Sequence, residues 1–151
     1  MKCFRFTLIS LILIAASCDK PAVSNIPYSN VWLELDLANL DKGLIPLTAH
    51  RTFTQEDIGK RIGVYATGFG GVLVYHGIDN SYYAFDAACP YEGNSNVKVK
   101  VDEANLFAIC PKCNSKYDLS TGIGNPAIAP HKHQLHKYSL QKAGNKLIVR
   151  N

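Results

Sequence analysis

Short apolar runs alternate with turn-forming residues along this chain, and no stretch of helical period reaches a useful length. Val31-Trp32-Leu33-Glu34-Leu35-Asp36-Leu37 sets apolar against acidic side chains at every second position in its latter half, the period of a half-buried strand. Residues 46–53 read as a second short strand. Thr54-Gln55-Glu56-Asp57 reads as a capped turn holding one helical turn. Residues 62–66 form a further apolar segment, followed by the loop Gly68-Phe69-Gly70-Gly71. Residues 72–76 and 81–86, joined by Gly77-Ile78-Asp79-Asn80, predict a hairpin. Val97, Val99 and Val101 alternate with Lys98 and Lys100, so the valines share one face and the lysines face water. Segments 106–109, 116–119, 135–140 and 146–150 complete the series, with turns at 120–122 and 143–145. Many short strands at this spacing predict an all-β antiparallel sandwich. Trp32, the only tryptophan, is expected to anchor the core or the domain edge.

The first 17 residues break this pattern. Lys2 and Arg5 precede the apolar run 6–14, and Ala15-Ala16-Ser17 leads into Cys18. This is the layout of a signal peptide, too short for a resident membrane span. The Ala-Ala-Ser-Cys ending resembles a bacterial lipobox, which predicts lipidation of Cys18 and a chain tethered to a membrane without crossing it. Residues 18–30, rich in Pro, Ser and Asn, then read as the tether, and residues 31–151 as one domain. With no Arg-Arg pair, export in the unfolded state is expected. Loss of Lys2 and Arg5 leaves basic side chains only two in excess of acidic ones, which gives no ground for a nucleic-acid partner. No repeat, Gly-rich phosphate loop or Ser-His-Asp order occurs.

Cysteines carry the candidate chemistry. Of five, Cys3 leaves with the signal peptide and Cys18 takes the lipid; Cys89, Cys110 and Cys113 remain. Cys89-Pro90-Tyr91-Glu92-Gly93 follows the apolar run 82–85, and Cys110-Pro111-Lys112-Cys113 follows 106–109. Two such loops at strand ends can face each other across a gap, an arrangement that commonly holds iron–sulfur or zinc sites.

These loops resemble the Rieske iron–sulfur family, whose signature is C-x-H, a spacer and C-x-x-H, often in the fuller forms C-P-H-x-G and C-P-x-H-G-x-x-F/Y-D-L-x-T-G. Cys89, Pro90 and Gly93 match the first loop; Cys110, Pro111, Ser115, Tyr117, Asp118, Leu119, Thr121 and Gly122 match the second. The likeness runs from about residue 71 to 149. It departs at the two histidines, where this chain has Tyr91 and Cys113. The resemblance implies a Rieske-type β-sandwich with a small cluster-binding subdomain at about 88–126. It implies a 2Fe–2S site with Cys89 and Cys110 on one iron and Tyr91 and Cys113 on the other. Ser115 and Tyr117 match hydroxyls that hydrogen-bond to cluster or cysteine sulfur. Residues 124–127 resemble the proline-containing loop that covers the cluster, with Pro126 as its proline. The additional cysteine pair that ties the two loops in many family members is absent, and Lys112 stands at one of its positions.

Three fates stay open for the thiols. They could hold a 2Fe–2S cluster with Tyr91 or an outside ligand, form a disulfide from Cys89 to Cys110 or Cys113, or bind one ion such as zinc with a histidine. His131 and His133 are the clustered imidazoles able to approach the site. On the resemblance, the expected function is electron transfer at the bacterial cell envelope with an unidentified redox partner, not catalysis by this chain alone. The alternative is a cluster-free Rieske-fold lipoprotein that serves as a structural or interaction domain.

Overall fold

The computed structural model describes residues 24–130 and 132–151. The expected signal peptide, Cys18 and His131 lie outside the described residues. Among the described residues eleven strands form two antiparallel sheets. They are β1 (Val31–Asp36), β2 (His50–Phe53), β3 (Val64–Thr67), β4 (Val72–His76), β5 (Tyr82–Asp86), β6 (Lys100–Val101), β7 (Phe107–Ile109), β8 (Lys116–Asp118), β9 (Asn125–Ile128), β10 (Lys137–Ala143) and β11 (Lys146–Arg150). Seven of them, in the order β2-β4-β5-β10-β11-β1-β3, curl into a nearly closed barrel. The other four, β6-β7-β8-β9, form a small sheet beside it. The all-β antiparallel architecture is the one the periodicity predicts. Among the described residues no helix is long and apolar enough to cross a membrane.

Strand β4 explains how the two sheets meet. All five of its residues are buried, so Val-Leu-Val-Tyr-His reads as a continuous apolar run rather than an alternating one. Val72 and Val74 enter the barrel core with Leu33, Leu35, Phe53, Ala84 and Val149. Leu73 and Tyr75 enter a second core with Phe85, Cys89, Val99, Cys110, Tyr117 and Leu135. The wall of β4 and β5 therefore carries a core on each face, and two of the cysteines belong to the second.

Three expectations need revising. The segment predicted as one strand over 97–101 is regular strand only at Lys100–Val101. Upstream it follows the Cys89 segment instead, through Cys89 N–H to Val97 O (2.9 Å), Val99 N–H to Ala87 O (2.8 Å) and an Ala88–Lys98 bridge. One extended segment thus changes partner and sews the two sheets together, while Val99 stays inward. The strand expected over 46–53 begins only at His50, since Thr48 adopts φ 63. The proline-containing segment expected as a covering loop is strand β9, with Pro126 opposite Tyr117. β9 is an edge strand and its register shifts beside this pair, the setting in which a residue without an N–H is tolerated in a sheet.

A buried carboxylate ties the barrel to the second core. Asp86 ends β5 with no exposed surface. It accepts hydrogen bonds from Phe69 N–H (2.9 Å), Gly70 N–H (3.0 Å), Ala88 N–H (2.7 Å) and the Tyr138 hydroxyl (2.5 Å). Gly70 has to be glycine, because a Cβ there would lie 2.6 Å from the Ala88 nitrogen. Burial and the Asp86 charge raise the Tyr138 phenol well above its ordinary range, so it stays a donor. Tyr138→Phe removes one donor from a buried charge. It is expected to cost about 2 kcal/mol in urea unfolding at an unchanged m-value.

Candidate metal centre

The two cysteine loops are shaped by backbone hydrogen bonds before any side chain is considered. In the first, Gly93 N–H reaches Cys89 O (3.0 Å), at a glycine with φ 56. In the second, Asn114 N–H reaches Cys110 O (3.0 Å) and Cys110 N–H reaches Ser115 O (2.9 Å). Asn114 takes the left-handed conformation, φ 57, that this tight turn needs and that asparagine tolerates.

Folded in this way, the loops bring the three thiols together. The sulfurs of Cys89, Cys110 and Cys113 all lie within 4.8 Å of one another, and Cys89 Sγ is 3.6 Å from Cys113 Sγ. Cys89 and Cys110 are fully buried and Cys113 partly so. Among the described residues these three form the only group of at least three Cys, His, Asp or Glu side chains able to hold a metal.

Donors converge on the sulfurs. The Ser115 hydroxyl lies 3.0 Å from Cys113 Sγ, and the Tyr117 hydroxyl 3.5 Å from Cys89 Sγ. Backbone N–H groups of Lys112 and Cys113 serve Cys110, and that of Ser115 serves Cys113. Burial pushes the Cys110 thiol up to about 11 against the pull of these amides. At Cys113 burial also opposes ionisation. There the Ser115 hydroxyl and amide and the neighbouring thiols outweigh it, and the thiol falls below its ordinary value. Tyr117 is raised far above the ordinary range, by burial first and by Cys89 second, so its hydroxyl remains protonated and donating.

The remaining sequence-predicted residues fall as follows. Tyr91 stands on the Cys89 loop, half exposed. Pro126 lies opposite Tyr117 on β9. His133 is partly buried and does not join the thiol group. One contact was not foreseen: Lys112 Nζ lies 2.5 Å from Glu92 Oε2, an ion pair from one cysteine loop to the other. Lys112 thus ties the two loops electrostatically. Spacing alone could not pair residues twenty positions apart.

Comparison with known proteins bears on the fold. No family model and no curated protein matches the sequence. Solved structures do match. The plasma-membrane Rieske protein PetC3 of Synechocystis PCC 6803 aligns at TM-score 0.50 and 22% identity, over 81% of this chain and 98% of that one. The quaternary ammonium Rieske monooxygenase CntA aligns at TM-score 0.55 and 15% identity, over 79% of this chain and 31% of that one. The present chain thus spans under a third of that enzyme's length.

The thiol environments generate a first test of the site. In metal-free, reduced protein, alkylation mapped by mass spectrometry should modify Cys113 first, and at lower pH than Cys110. Cys110 reacting first would contradict the geometry described. The described residues have a Rieske-type fold, with three thiols that converge from its two cysteine loops.

Proposed function

We propose that this protein is an electron-transfer protein of the bacterial cell envelope. Its cofactor is a 2Fe–2S cluster held by Cys89, Cys110, Cys113 and Tyr91, and its N-terminus is anchored through lipid on Cys18. The observation that carries the reading is the convergence of three thiols, each with hydrogen-bond donors directed at its sulfur. Such a donor set suits thiolate ligation, because N–H and O–H groups stabilise sulfur that carries negative charge. A cluster bound there would supply one-electron transfer. The chain itself buries Cys89 and Cys110 from water, and Ser115 and Tyr117 direct hydroxyls at sulfur.

The ligand set predicts the direction of the potential. Neutral imidazoles lift Rieske centres above all-cysteine ferredoxins. A thiolate and a phenolate in their place make the site more negative and lower its potential. Tyr91 has to lose its proton to serve, from a reference value of about 10. The likeness to PetC3, itself a Rieske protein, supports an electron-transfer role, and the redox partner would be a separate protein.

One observation favours a second reading. The 3.6 Å separation of Cys89 and Cys113 sulfurs is short enough that a small movement would reach the disulfide length of about 2.05 Å. The protein would then be a cluster-free Rieske-fold lipoprotein that serves as an interaction domain.

Iron, zinc and acid-labile sulfide should be measured in protein lacking residues 1–18, made in the cytoplasm and purified without oxygen, together with its visible spectrum. Equal amounts of iron and sulfide, two of each per chain, and loss of the visible bands in Cys113→Ser are the expected result. Zinc without sulfide would replace the cluster by a single ion. No metal, with two thiols lost on exposure to air, would establish the disulfide reading.

A further inference from the structure

The outward face of β1 and β3 carries large apolar side chains where strands facing water are expected to be polar. On β1, Val31, Leu33 and Leu35 point inward. The outward positions of a strand facing water should be polar, and Glu34 conforms. Trp32 does not: it is 47% exposed, opposite Ala66 of β3 and Arg150 of β11. Tyr65 on β3 is 58% exposed, and Ile62 just before that strand is 81% exposed. An open groove lined by Asn30, Trp32 and Tyr65 meets a second one, lined by Lys60 and Ile62, at Tyr65.

The path of the chain before β1 indicates what covers this face. The last part of the predicted tether is bound to the domain. Ile26 is buried, Ser29 O accepts from Asn151 Nδ2 (2.7 Å), Asn30 O accepts from Gly68 N–H (2.9 Å), and Val31 N–H donates to Asn151 Oδ1 (3.1 Å). Tyr28, within this stretch, is 80% exposed. Only residues 18–23 then separate a lipid on Cys18 from the first described residue. At most about 3.6 Å per residue, that is a reach of about 20 Å. A domain held so closely lies against the bilayer, and the groove is lined by Asn30, the last tether residue, and by Asn151, which holds the end of the tether.

We propose that this face, with Trp32, Ile62 and Tyr65, docks on the surface of the phospholipid bilayer that holds the lipid anchor. The inference rests on lipidation of Cys18. Tryptophan and tyrosine favour the interface between headgroups and acyl chains. Arg150, opposite Trp32, and Lys60 beside Ile62 can meet anionic headgroups. Glu34, which lines the groove, accepts a hydrogen bond from Trp32 Nε1 (3.0 Å), and Asp36, the other acid at an outward position of β1, lies opposite Lys146. Docking would also orient the metal end of the barrel. Asn30 bonds Gly68, whose neighbours Phe69 and Gly70 bond Asp86, and Asp86 holds Ala88 beside Cys89.

The single tryptophan makes the contact measurable in the full-length protein. The lipid-bearing chain is reconstituted on phosphatidylcholine–phosphatidylglycerol vesicles, with or without lipids brominated near the headgroup. Flotation is measured alongside tryptophan emission. Docking predicts that the brominated lipids lower the emission of floated protein by about half or more, as for a ring at interfacial depth. Replacing Ile62 and Tyr65 by serine should abolish this quenching while flotation persists. Protein that floats with emission unaffected by the brominated lipids would overturn the docked face and leave the anchor standing. Wild-type protein that fails to float, as Cys18→Ser is expected to, would overturn the anchor and the docked face together.

Discussion

Asp86 carries its carboxylate into a region with no exposed surface, and such a charge is tolerated only where donors replace the water it has lost. The donors come from three places in the chain. The 68–71 loop gives two amides, the start of the Cys89 loop gives one, and β10 gives the Tyr138 hydroxyl. Strand β5, the glycine-rich loop, the first cysteine loop and β10 are therefore fixed by one group. Removing the carboxylate would leave buried amides without acceptors beside Cys89. The start of the first cysteine loop is held by this interaction together with the loop's own backbone bonds.

Sulfur is also part of the packing. Cys89 and Cys110 lie in the second core with Leu73, Phe85, Val99, Tyr117 and Leu135. Free thiols pack as small apolar groups, so the same atoms that could ligate a metal also fill the space between β4–β5 and the small sheet. The site is consequently held together by packing as well as by any ion. The loops are held by amide-to-carbonyl bonds, and the Lys112–Glu92 pair adds a tie that salt can screen.

Local pattern carried much of this fold. The β4–β5 hairpin, the inward Val99 and the β10–β11 turn at Gly144 follow from alternation and turn chemistry over a few residues. Where the reading failed, a distant partner decided the outcome. Pro126 joins a strand because β8 offers it an edge position beside a register shift, and residues 97–99 leave their sheet to follow the Cys89 segment. The same division holds at the site. The spacing of Cys-Pro-Lys-Cys marks a loop whose thiols converge, whereas Asp86, with partners on three segments, and Glu92, paired twenty residues away, are invisible to any local window. Trp32 was expected to anchor core or edge; it lies half exposed, because β1 turns alternate residues outward and Trp32 falls on that side.

Three thiols brought together in a largely buried site would repel one another as they ionise. The fold answers mainly with dipoles. Amides of Lys112, Cys113 and Ser115 and the hydroxyls of Ser115 and Tyr117 point at sulfur. Lys112, a cation beside these thiols, is already paired with Glu92, so the pair brings little net charge to the site. Dipoles act at short range and are not screened by mobile ions, whereas an exposed cation would be. The stability of the thiolates, and the potential of anything they bind, should therefore follow the loop geometry more than the ionic strength around the protein.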